Sequence, residues 1–250
     1  MSKRYNKSEV IDMVSQYFKD KNCKNLYKDG CINYVGVTKD TKEDYSKVIV
    51  DYLVEHIDEF KGDLDKIVIT RDPSYKTDGH NGQSDFNFEN PITGERREEK
   101  IAHAMFCQYQ NDATAFGTIL DYQVPLKNKE TDKGIGKIDL LSVIKETKSK
   151  PGRIYFLELK RDSSDETLLR CILEAYTYSK IVDREKLCKD FNIPFENYEF
   201  VIAPLVFKAD GFDKKLEDVM PLVEKLDCPV EFFVWDYKAG KYLIERMKGN

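Results

Sequence analysis

The chain is poor in the residues on which several common chemistries depend. Only three histidines occur in 250 residues, His56, His80 and His103, and no G-x-S-x-G turn accompanies them. A histidine-based hydrolytic triad needs a nucleophile presented in such a turn, so that class is not expected. The six cysteines (Cys23, Cys31, Cys107, Cys171, Cys188 and Cys228) form no C-x-x-C pair and have no histidines at ligand spacing, which argues against a zinc site or a disulfide framework. Scattered cysteines of this kind are reduced and buried. The faintly glycine-rich "GIGKIDLL" beginning at Gly134 has too few glycines for a phosphate-cradling loop. No stretch of about 18 apolar residues can cross a membrane, and "MSKRYNKSEV" lacks the apolar run of a secretory signal. The expected location is therefore the cytoplasm, with no membrane partner. Internal repeats and low-complexity tracts are absent. A net charge of −5 excludes coating nucleic acid by bulk charge and leaves room for a local basic cleft.

What is present is an ordinary globular composition, 41% hydrophobic and 34% charged, long enough for one large domain with a smaller appendage. Homo-oligomerisation is left open. Residues Ser8 to Asp20 have helical apolar spacing, with Ser8 as the expected N-cap. A second helix is expected from Thr41 to Phe60, with His56 on its packed inner stripe. The apolar run "KIVIT" reads as a strand, and the polar stretch Arg71 to Asn90 as a loop in which His80-Asn81-Gly82 forms a turn. These elements make residues 1–90 a mostly helical N-terminal segment.

Residues 91–250 are more orderly. "TGERREEKIAHAMFCQYQ" reads as a helix, followed by three strand-like runs, "FGTILDYQVPL", "GKIDLLSVIKE" and "GRIYFLELKRD". The last two are joined through a Pro-Gly turn. A helix, "DETLLRCILEAYTYSKIV", comes next, then the strand "YEFVIAPLVF", a helix from Lys214 to Leu226, and the strand "VEFFVWDY". Hairpin-like strands followed by helical crossovers predict an α/β fold, a mixed sheet flanked by helices.

The run "IYFLELK" places an acid and a base inside an apolar strand. Side chains alternate across a strand, so Glu158 and Lys160 share a face. Hairpin pairing can bring Asp139 of the preceding strand beside Glu158. Two carboxylates among Ile138, Leu140, Leu157 and Leu159 are costly to bury without a counter-charge. Mg²⁺ or Mn²⁺ suits them, because a hard cation needs only one or two carboxylates plus a carbonyl and keeps its waters. Lys160 could orient a water there or accept its proton, especially if desolvation depresses its pKa. Lysines and arginines are frequent between the first and third strands: Lys127, Lys129, Lys133, Lys137, Lys145, Lys148, Lys150, Arg153 and Arg161. They are expected to form a positive rim for a phosphate backbone.

"GKIDLL" followed by "YFLELKRD" resembles the paired motifs of the PD-(D/E)XK nuclease superfamily, the restriction-endonuclease-like fold with an αβββαβ core. The resemblance covers residues 93 to 240. It implies metal-dependent hydrolysis of phosphodiester bonds in DNA, with Asp139, Glu158 and the Leu159 carbonyl as metal ligands and Lys160 as the water-activating lysine. It also implies a glutamate on the preceding helix, for which Glu99 is favoured over Glu98. Glu174 and Tyr178 fall where RecB-like members carry Gln-x-x-x-Tyr to contact substrate, although the glutamine is a glutamate here. The family's usual proline is replaced by Ile138. On the same fold, the alternative is a catalytically inactive binding or interaction module.

Overall fold

A computed structural model describes residues 4–77, 92, 94, 96–111, 114–128, 135–210 and 215–247. The chain folds as α/β around a six-stranded mixed sheet. Three helices come first: α1 (Lys7–Lys19), α2 (Tyr45–Glu55) and α3 (Ile57–Leu64). Next are α4 (Arg97–Tyr109), the strands β1 (Thr118–Pro125), β2 (Lys137–Ile144) and β3 (Gly152–Leu159), and the helices α5 (Leu168–Ile181) and α6 (Arg184–Asp190). The chain closes with β4 (Tyr198–Phe207), α7 (Leu216–Val223), β5 (Phe233–Lys238) and β6 (Lys241–Arg246). Spatial order follows chain order, β1 to β6. The first three strands are an antiparallel meander, β3, β4 and β5 run parallel, and β6 returns antiparallel on β5. The parallel steps are bridged by helices, as parallel crossovers require.

Local chemistry sets the helix ends and departs from the sequence reading at several points. α1 begins one residue before Ser8: Asn6 is its cap, and the Asn6 backbone N–H donates to Glu9 Oε2 at 2.7 Å. The helix expected over Thr41–Phe60 is two helices. Asp44 caps the first, its side chain accepting from the Ser46 N–H at 2.9 Å. His56 breaks the run with φ −111° and ψ 23°. Its ring rests on Tyr52, centroids 4.3 Å apart, but the residue is half-buried at the kink and not a packed core histidine. "KIVIT" forms no strand; it makes a single bridge, Ile69 to Val182, beside the end of α5. The expected helix from Lys214 runs only from Leu216 to Val223, and Lys214 and His80-Asn81-Gly82 lie outside the described residues.

Each sheet face buries a distinct apolar layer. One packs Ile101, Ala104, Met105 and Phe106 of α4 against Leu140, Tyr155, Leu157, Leu159 and Trp235. The other packs α5 against Leu141, Ile154, Phe156 and Ile202, and that layer continues without a break into Val10, Val14, Leu53 and Phe60 of the N-terminal helices. α5 is therefore covered on both sides, which accounts for its being apolar nearly all round. Phe60 stacks on Tyr176 of α5 with centroids 5.9 Å apart, so the N-terminal helices form part of the core beneath the site.

Candidate active site

The strand register builds the site. Leu140 and Leu157 form the last pair of the antiparallel β2–β3 ladder, and Asp139 and Glu158 are the next residues beyond it on the two strands. Glu158 alternates with Leu157 and Leu159 and lies on the α5 face at the end of β3, whereas Asp139 borders the cleft that α4 lines. The Leu159 N–H donates to Asp139 Oδ2 at 2.9 Å, and Gln123 Nε2 of β1 donates to Oδ1 at 2.7 Å. Gln123 makes this bond from a left-handed backbone, φ 51°, in a strand that carries a bulge just before it. Such a conformation costs a non-glycine residue about 1 kcal/mol or more, so sheet pairing and the bond to Asp139 must hold it there. The Lys160 N–H points to β4, bonding the Leu205 carbonyl at 2.9 Å. Across a trans peptide the preceding carbonyl points the other way. The Leu159 carbonyl is thus directed to the side on which Asp139 lies.

Lys160 is the centre of a buried charge cluster. Its Nζ lies 2.6 Å from Glu158 Oε1, 2.6 Å from Glu166 Oε2 and 3.7 Å from Glu174 Oε2. Arg170 adds contacts of 3.0 Å to Glu166 and 3.8 Å to Glu174. Lys160 is 3% exposed and Glu158 4%. Tyr178 donates to Glu174 Oε1 at 2.7 Å and meets the Tyr27 hydroxyl at 3.2 Å, tying the N-terminal segment into the cluster. Gly136, just before β2, leaves room for that tyrosine: a Cβ on Gly136 would stand 1.8 Å from the Tyr178 hydroxyl.

Four carboxylates (Asp139, Glu158, Glu166 and Glu174) share two cations, Lys160 and Arg170. The imbalance acts on the acids. Burial pushes the Asp139 carboxyl up to about 7, and the charges of Glu174 and Glu98 add to it against the opposing pull of Lys160. Burial raises Glu158 well above the carboxylate range, with Asp139 and Glu174 contributing further. For Lys160, burial alone favours the neutral amine, but Glu158 and Glu174 outweigh it and hold the ammonium well above its ordinary range. The acidic neighbours thus favour the ammonium form of Lys160 over the neutral amine.

The remaining sequence candidates are placed as follows. Glu98 and Glu99 of α4 both line an open cleft of about 370 Å³, together with Asp139, Gln123, Arg96, Arg97 and Arg161. Glu98 accepts from the Arg161 N–H at 3.3 Å and bears on Asp139, whereas the nearest ionic partner of Glu99 is Arg96 at 4.0 Å. Glu174 and Tyr178 are turned into the charge cluster, and Tyr178 is buried. The expected basic rim divides. Arg161 lines the cleft, but Lys145, Lys148, Lys150 and Arg153 belong to the far end of the β2–β3 hairpin, about 20 Å away at 3.3 Å per strand residue. Arg153 there pairs with Glu199 and Glu231. Lys129 and Lys133 lie outside the described residues. Gln123, Glu166 and Arg170 were not legible as site residues, although Glu166 and Arg170 stand four apart, the spacing of neighbours on a helix.

Among the described residues, no group of three His, Cys, Asp or Glu side chains could hold a metal ion by itself. Asp139, Glu158 and the Leu159 carbonyl offer oxygen donors, the kind that a hard divalent cation takes. The fold and site together define an α/β protein with a cleft of acids and arginines at the end of its central strands. The sequence matches no protein family, and comparison with curated proteins and with solved structures finds no match either.

Proposed function

We propose that this chain is a Mg²⁺- or Mn²⁺-dependent nuclease of the PD-(D/E)XK type that hydrolyses phosphodiester bonds in DNA. The observation that carries the reading is the position of Asp139 and Glu158 on neighbouring strands just past their last pair, where Asp139 acts on the Glu158 carboxyl and Lys160 is in contact with it. The order α4, β1, β2, β3, α5, β4 supports it, since it has the succession of the restriction-endonuclease-like core. A divalent cation bound there would supply neutralisation of phosphate charge and acidification of water. The chain's residues do the rest. Asp139, Glu158 and the Leu159 carbonyl would hold the ion, and Gln123 and the Leu159 N–H fix the Asp139 carboxylate in one orientation. Protonated Lys160 donates a hydrogen bond to the attacking water or the scissile phosphate and stabilises charge there. Arg96, Arg97 and Arg161 receive flanking phosphates at the cleft mouth.

One observation favours a second reading, a catalytically inactive module on the same scaffold. The Lys160 ammonium is held by Glu158 and Glu166, both at 2.6 Å, and could be only a structural counter-ion. Incubation with linear and circular DNA, with and without Mn²⁺, separates the two. The nuclease reading predicts Mn²⁺-dependent cleavage that disappears in Asp139→Ala. Intact DNA under all conditions, from a protein that takes up no metal, supports the inactive module.

A further inference from the structure

Beside the acid-lined cleft lies a second, aromatic cavity of about 130 Å³ on the α4 side of the sheet, and Arg97 lines both. Phe207, Trp235, Tyr237 and Tyr242 form its aromatic wall and Ile92 and Ile101 an aliphatic one, with Arg97, Asp162 and Asp236 as its charged residues. A single water needs roughly 10–15 Å³ of such space, so a ring system can enter. Phe207 and Trp235 have centroids 4.8 Å apart, Trp235 and Tyr242 5.8 Å, and Tyr237 and Tyr242 5.0 Å. The Trp235 indole N–H donates to the Lys160 carbonyl at 2.9 Å, which fixes the cavity directly behind the reacting end of β3. Arg97 Nη2 lies 2.6 Å from Asp162 Oδ1, while buried Arg97 Nε has no hydrogen-bond partner among the described residues.

We infer that this cavity receives an unpaired nucleobase of the substrate strand, so that the protein acts on single-stranded or locally unpaired DNA. The choice of ligand rests on the nuclease reading above. The half-buried rings of Phe207 and Tyr237, backed by buried Trp235 and Tyr242, offer stacking to any base, and Arg97 can follow an adjoining phosphate into the acid cleft. Base stacking of this kind tolerates sequence variation, so a preference for strandedness is expected, with little preference for sequence.

Trp235 is the only tryptophan in the chain, so its emission reports on this cavity alone. The 250-residue chain is titrated in EDTA, where no cleavage occurs, with a thymidine oligonucleotide, an abasic strand of the same length and a blunt-ended, fully paired duplex. The single strand is expected to quench or shift the emission saturably, while the abasic strand and the duplex do not. Tyr237→Ala, at a half-buried wall, should weaken the single strand by about 5- to 100-fold, and Tyr237→Phe should restore it. Equal responses to all three probes, no response to the single strand, or unchanged affinity in Tyr237→Ala would overturn the inference. Base-dependent quenching in a protein that cleaves nothing with Mn²⁺ supports the cavity and counts against the nuclease reading. Duplex cleavage with a silent Trp235 does the reverse.

Discussion

Replacing Asp139 by asparagine should stabilise the metal-free protein at pH 8. The folded carboxyl ionises near 7 and the ordinary one at 3.8, so between those values the folded state binds more protons than the unfolded state. This contribution to stability is fully present below pH 3.8 and is lost as pH rises through 7. At about 1.4 kcal/mol per pH unit, the gap of roughly three units sets an upper bound of about 4 kcal/mol on the penalty at pH 8. Asparagine keeps an oxygen for the Leu159 N–H but cannot accept Gln123 as well without a flip, and losing one such bond costs about 1 kcal/mol. Partial exposure of Asp139 toward the cleft trims the gain further, leaving about 2 kcal/mol. Urea denaturation in EDTA measures it: Asp139→Asn should be the more stable protein at pH 8 and lose that advantage at pH 4. Mg²⁺ at 100 times its dissociation constant would add about 2.7 kcal/mol to the native protein alone and reverse the order. Destabilisation at pH 8 in EDTA would refute the reasoning, since it would mean that the neighbouring donors already satisfy the ionised carboxylate.

Lys160→Ala removes the ammonium from between Glu158 and Glu166; it should abolish cleavage and destabilise the fold by about 3–5 kcal/mol without metal, as read by denaturant melts. Glu98→Gln should lower Mn²⁺-dependent cleavage at least tenfold and Glu99→Gln less than threefold, since only Glu98 bears on Asp139; equal effects would show that proximity to Asp139 is not what matters. Gly136→Ala drives a methyl into the Tyr178 hydroxyl and should destabilise by about 1–3 kcal/mol, with most of the loss relieved by adding Tyr178→Phe; an undiminished loss in the double variant would place the strain elsewhere.

Periodicity made the central elements legible. Alternation in "GKIDLLSVIKE" and "GRIYFLELKRD", with Pro151-Gly152 between them, gave the β2–β3 hairpin and with it the neighbouring strands that carry Asp139 and Glu158. What escaped depended on contacts distant in sequence. β6 is short and follows a two-residue turn of Ala239 and Gly240, both at positive φ, which has the glycine but not the asparagine of the usual Asn-Gly pair. Gln123 reaches Asp139 only because a bulge in β1 and its left-handed backbone turn the side chain inward. The upward pull on the Lys160 pKa could not be read from the strand, because Glu166 and Glu174 belong to the segment after β3 and only folding brings them to within 4 Å of its ammonium. The lysines near Ser149 are close to Asp139 in sequence and far from it along the hairpin.

The account turns on one ion shared by two carboxylates. Calorimetric titration of the purified chain with Mn²⁺ at pH 8 tests it most directly: a saturable uptake is predicted for the native protein, absent from both Asp139→Ala and Glu158→Ala. No saturable heat in the native protein, or the same heat in either variant, would contradict it.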